Sequence, residues 1–71
     1  MFISVDVIRN RVQARWNELR EIPGNTLGYG EFDVEMGHIT ATATVHGGKI
    51  QYIEINDRAE KVRRKIKVDM I

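Results

Sequence analysis

The sequence predicts an α+β domain, an N-terminal amphipathic helix followed by a small antiparallel sheet. Three observations carry this. Apolar residues recur at helical spacing in the first third of the chain, alternation replaces that period after Gly30, and Gly47-Gly48 separates two strand-like runs.

The helix is read from Ser4 to Ile22. At about 100° per residue, Val5, Ile8, Val12, Trp16 and Leu19 share one stripe, while Arg9, Arg11, Arg15, Glu18 and Arg20 fall largely elsewhere. Ser4 stands where an N-cap is needed and Asp6 suits the positive end of the helix dipole; Ile3 has the spacing of a hydrophobic staple with Ile8. Pro23 and Gly24 stop the helix, and PGNTLGYG, residues 23–30, reads as an ordered loop.

Strands follow. Glu31 to Met36 sets Phe32, Val34 and Met36 against Glu31, Asp33 and Glu35, the period of a half-buried strand, and Gly37 breaks it as a turn or a bulge would. Ile39 to His46 and Lys49 to Asn56 flank Gly47-Gly48, the signature of a two-residue hairpin. In that register Val45 faces Ile50, Ala43 faces Tyr52 and Thr42 faces Ile53. Apolar side chains then reach both faces of the sheet, more than one helix covers.

The closing stretch, DRAEKVRRKIKVDMI, has two readings. As a helix, Ala59, Val62, Ile66 and Met70 share an arc of about 80°, and Asp57 with Glu60 has capping-box spacing. As a strand, Val62, Ile66, Val68 and Met70 share a face and only Arg64 is misplaced. No glycine marks a tight turn before it, so the helix is favoured. The predicted order is α-β-β-β-α, with α-β-β-β-β and a C-terminal strand as the alternative.

At 71 residues the chain is a single domain, 1–71, and buries only about 60% of the surface its unfolded state exposes. With no cysteine for a disulfide, oligomerisation is the reinforcement left to a small core, with a well-packed monomer as the alternative. Asp6 and Arg9 interrupt the N-terminal apolar stretch too early for a secretory signal, and no run nears the roughly 18 apolar residues of a membrane span. A soluble cytoplasmic protein with no membrane partner is expected.

Charge is segregated. Residues 1–23 carry four positive and three negative groups, residues 24–57 one and five, and residues 58–71 six and two. If the last segment is a strand, Lys65 and Lys67 share a face, as Glu31, Asp33 and Glu35 do. Antiparallel pairing of those strands, within one chain or between two, sets opposite charges side by side.

The order α-β-β-β-α in about 70 residues, with the hairpin ITATATVHGGKIQYIEI and the basic segment DRAEKVRRK, resembles the double-stranded-RNA-binding domain. The likeness covers residues 31–67 and is one of topology. It implies phosphate contacts from Lys61, Arg64 and Lys65 on a second helix. Where that family has glycines, a serine and a lysine pair, this chain has Glu54-Ile55-Asn56-Asp57-Arg58.

Catalytic and metal chemistry find little to work with. Ser4 is the only serine and is placed as a cap, and Asp33 with Glu35 is the alternation of an exposed strand face. On one continuous strand His38 and His46 lie roughly 26 Å apart, too far to share an ion. Gly28-Tyr29-Gly30 lacks the context of a phosphate-binding loop, and Thr40, Thr42 and Thr44 are ordinary strand formers. No catalytic set, metal or cofactor is predicted.

The expected function is a small non-enzymatic interaction or regulatory module. It self-associates or engages a protein partner through Ile50, Tyr52, Ile53 and Ile55. The alternative is a nucleic-acid-binding domain using Arg58, Lys61, Arg63, Arg64, Lys65 and Lys67.

Overall fold

The computed structural model describes residues 4–24 and 28–70, the last two by backbone alone. Helix α1 (Val5–Glu21) leads into strands β1 (Tyr29–Met36), β2 (Ile39–His46), β3 (Lys49–Asp57) and β4 (Val62–Met70). The strands form one antiparallel sheet in chain order, β1-β2-β3-β4, so β1 and β4 are its two edges.

α1 forms where the stripe predicts it. Ser4 Oγ accepts the Val7 N–H at 3.3 Å, and the Ile22 N–H closes the other end on the Leu19 carbonyl. Ile8, Val12 and Trp16 are buried, while Val5 and Leu19 at the ends of the stripe are half-buried. Ile3, the expected staple, lies outside the described residues.

The helix lies over β1 and β2. Ala41 and Ala43 of β2 are fully buried there, small enough to let the helix approach the backbone, and Trp16 stacks on Phe32 of β1 at 6.0 Å between ring centroids. Ile50, Ile53 and Ile55 of β3 complete the core. Four strands at about 4.8 Å spacing are wider than a helix of about 10 Å, so the helix-side face of β4 is only partly covered. Ile66 and Val68 are half-buried and Val62 is 47% exposed.

The β2–β3 hairpin corrects the predicted register. Gly47 and Gly48 both have positive φ, 62° and 75°, as the two-residue turn requires, and Val45 does face Ile50. Past that pair the ladder shifts by one: Thr44 faces Tyr52 and Ala43 faces Ile53, with Gln51 as the extra residue of a β-bulge. The turn fixes one register and the core demands another. Without the bulge Tyr52 would point at the helix and Ile53 at solvent; with it Ile50, Ile53 and Ile55 all point at the helix. The expected pairs Ala43–Tyr52 and Thr42–Ile53 are corrected accordingly: the isoleucines of β3 lie on the helix side and the aromatic Tyr52 on the other.

The C-terminal segment is a strand, so the alternative α-β-β-β-β order holds and the favoured second helix does not form. The capping signal is present but serves one turn. Asp57 Oδ1 accepts the N–H groups of Ala59 and Glu60, each at 3.1 Å, and Lys61 then adopts φ 57°, which ends the turn and starts β4. Lys61 occupies the left-handed position that a glycine usually fills, which is why no glycine announced the turn. The topology on which the likeness to the double-stranded-RNA-binding domain rested is thereby lost.

Candidate interaction surface

Opposite the helix, the sheet presents a face that no described residue covers. Ladder partners there line up in three rows across all four strands: Glu31–Thr44–Tyr52–Lys67, Asp33–Thr42–Glu54–Lys65 and Glu35–Thr40–Asn56–Arg63. The strand sequences dictate this grading. β1 contributes only carboxylates to the rows, β2 only threonines, β3 mixed groups and β4 only cations.

Side chains tie β1 to β2 within two of the rows and join the first row to the second. Thr42 Oγ1 donates to Asp33 Oδ1 at 2.8 Å, Thr40 Oγ1 donates to Glu35 Oε1 at 3.1 Å, and the Lys65 ammonium sits 4.6 Å from the Tyr52 ring centroid. Acidic and basic edges are therefore three strand spacings apart. They do not neutralise each other within one chain, and the pairing of β1 with β4 inside one chain is excluded by the strand order.

The predicted site residues separate. Ile50, Ile53 and Ile55 lie in the core at 1%, 0% and 7% exposure, covered by their own chain, and only Tyr52 stands on the open face. Of the basic residues, Arg63, Lys65 and Lys67 stand on the open face, Arg64 is exposed on the helix side and Lys61 is exposed in the turn. They form no single phosphate-binding helix face.

Arg58 has a structural role. Its guanidinium donates to Glu35 Oε2 at 3.0 Å, to Thr40 Oγ1 and to the Gly37 carbonyl at 2.5 Å, and its backbone N–H donates to the His38 carbonyl at 2.9 Å. One side chain thus fastens the β3–β4 turn to the β1–β2 turn. Replacement by alanine is expected to lower stability by about 1 kcal/mol, because it removes several charge-assisted bonds from one side chain at a largely solvent-exposed site. Thermal unfolding of Arg58→Ala checks this; an unchanged midpoint would deny the clamp any weight.

An open groove of about 630 Å³ lies between the start of α1 and the β3–β4 turn, with Val5, Ile8, Ile55 and Val62 on its apolar side and His38, Asp57 and Arg64 on its polar side. His38 Nε2 stands 3.6 Å from Asp57 Oδ1, the same oxygen that holds the turn. His46 sits at the other end of β2, edge-on to Tyr29 at 5.0 Å. Among the described residues no group of three or more histidines and carboxylates is disposed to hold a metal ion, and no helix is long and apolar enough to cross a membrane. Comparison with protein-family models, curated proteins and solved structures finds no match for this chain.

Sequence reasoning identified the charged alternations on β1 and β4 but missed the bulge that places Tyr52 between them, and it missed the Arg58 clamp. The bulge had a signal: Gln51-Tyr52-Ile53 breaks the alternation that Ile50 begins.

Proposed function

We propose that this chain is a non-enzymatic interaction module that self-associates through the uncovered face and edges of its sheet. The observation that carries the reading is the open face itself, graded from a carboxylate edge on β1 to a cationic edge on β4, with one helix among the described residues and a small core. His38 and Asp57 support no competing catalytic reading. The carboxylate is engaged by the turn, and no serine or threonine lies among the residues lining their groove. A cytoplasmic location suits a chain without cysteine.

The test is molar mass by light scattering across a wide dilution series, with wild type and Tyr52→Glu. Tyr52 contributes to the open face and not to the core, so the variant is expected to fold; weaker association assigns the contact to the face, and unchanged association assigns it to the edges. A wild-type monomer at every concentration overturns the reading.

A second reading, nucleic-acid binding, is favoured by one observation: Arg63, Lys65 and Lys67 form a basic row beside Tyr52. Glu31, Asp33, Glu35 and Glu54 on the same face oppose it by repelling phosphates. It predicts duplex or single-strand binding that falls steeply with salt and is lost with Lys65→Ala and Lys67→Ala together.

A further inference from the structure

We infer that copies of this chain join head to tail, β4 of one against β1 of the next, in the register that sets Lys67 beside Glu31, Lys65 beside Asp33 and Arg63 beside Glu35. The inference rests on the interaction-module reading and names its partner, a second copy.

Strand direction allows it. In an antiparallel sheet of four strands taken in order, β1 and β4 run in opposite senses, so a copy set alongside with its open face on the same side continues the antiparallel alternation. Hydrogen-bonding phase allows it too. Along each row hydrogen-bonded and non-bonded pairs alternate, and with an even number of strands the junction falls in step with both ladders.

Charge selects the register. The one named makes three opposite-charge pairs between strand residues, with Glu35 shared between Arg63 and the Arg58 of its own chain; a slip of two residues in either direction leaves two such pairs within the strands, and a slip of one turns the charges of one strand toward the other's apolar side. The same register places Ile66 beside Phe32, Arg64 beside Val34 and Val62 beside Met36 on the helix side. An open groove of about 280 Å³ between α1 and β1, lined by Arg11, Ala14, Arg15, Glu18 and Val34, faces the incoming Arg64, with Glu18 as its one carboxylate.

Charge also rejects the two-fold alternatives. β1 against its own copy sets Glu31, Asp33 and Glu35 against one another, and β4 against its copy does the same with Arg63, Lys65 and Lys67. A head-to-tail contact is heterologous, so it grows into rings or open chains and does not stop at a dimer.

The absence of native cysteine gives a clean test. Asp33 and Lys65 of one chain are three strand spacings apart, about 14 Å, beyond disulfide reach. Asp33→Cys and Lys65→Cys are made singly and together, with Glu31→Cys and Lys67→Cys as a second pair two residues along. Folding is checked by circular dichroism before oxidation. The expected result is a cross-linked dimer only when the two single variants of a pair are mixed, a ladder of higher species from each double variant, and association that weakens with salt. Each charge pair contributes a factor of about 1.4 to 5 to the association constant, so Lys65→Glu with Lys67→Glu lowers it by at least that factor squared.

Cross-links formed by one single variant alone, Asp33→Cys with itself or Lys65→Cys with itself, overturn the inference in favour of a two-fold edge contact. Wild-type association with no cross-link in either pair overturns it in favour of face-to-face contact. Both leave the interaction-module reading intact. A monomer at every concentration overturns the two together.

Discussion

Trp16→Ala is expected to leave the chain largely unfolded in buffer. Trp16 is the largest fully buried side chain, at 1% exposure, stacked on Phe32 beneath and bridged by the Arg20 guanidinium 5.6 Å from its ring. Truncating a buried tryptophan costs about 3–5 kcal/mol through lost burial and the cavity left behind. A single core in a chain of this size supplies only about that much in total. Tyr52→Ala, on the other side of the sheet, is the matched control and is expected to keep the native fold. Far-UV circular dichroism and a thermal melt of both variants check this. A cooperative transition in Trp16→Ala close to that of wild type would mean that the helix is not held by this core.

The second large effect separates two deletions three residues apart in the same strand. Removing Glu54 joins Ile53 to Ile55 directly, and because successive strand residues point to opposite faces, one of the two must leave the core for the open side. Exposing a buried isoleucine while carrying a polar residue inward costs several kcal/mol, about 2–5, and unfolding is expected. Removing Gln51 deletes the residue that is extra against β2, at a point where the β3–β4 ladder also shifts. Ile50, Tyr52, Ile53, Glu54 and Ile55 then alternate without interruption, every side chain keeping its present face, so a cooperative fold is expected to survive. Urea titrations of the two deletions decide the matter: equal damage from both would show that the bulge has a role beyond reconciling turn with core.

Both effects arise where side-chain period and tertiary packing meet. α1 was legible because everything that forms it is local: a stripe at helical spacing, a serine cap, a proline stop. The open-face charges were legible for the same reason, since alternation along β1 and along the last strand needs no knowledge of neighbours. The interface residues were not. Ile50, Tyr52, Ile53 and Ile55 read as one apolar surface until the bulge divided them, three to the core and one to the open side. Arg58 read as one more cation in a basic run, and its partners Glu35, Gly37 and Thr40 lie 18 to 23 residues away in sequence.

Local chemistry alone set the helix, the hairpin turn at Gly47-Gly48, the sheet's composition, and which charges share a face. These follow from backbone propensity and side-chain period, which act over a few residues. That the last segment is a strand and that β3 carries a bulge were settled by packing between distant parts of the chain. The capping interaction of Asp57 serves a helix or a single turn equally well. What chose the turn was an edge of the sheet waiting to be paired, with Ile66 and Val68 packed against the core once β4 lies beside β3. The bulge has the same origin: the turn fixes β3 at one end, the helix demands isoleucines along its length, and one extra residue reconciles them.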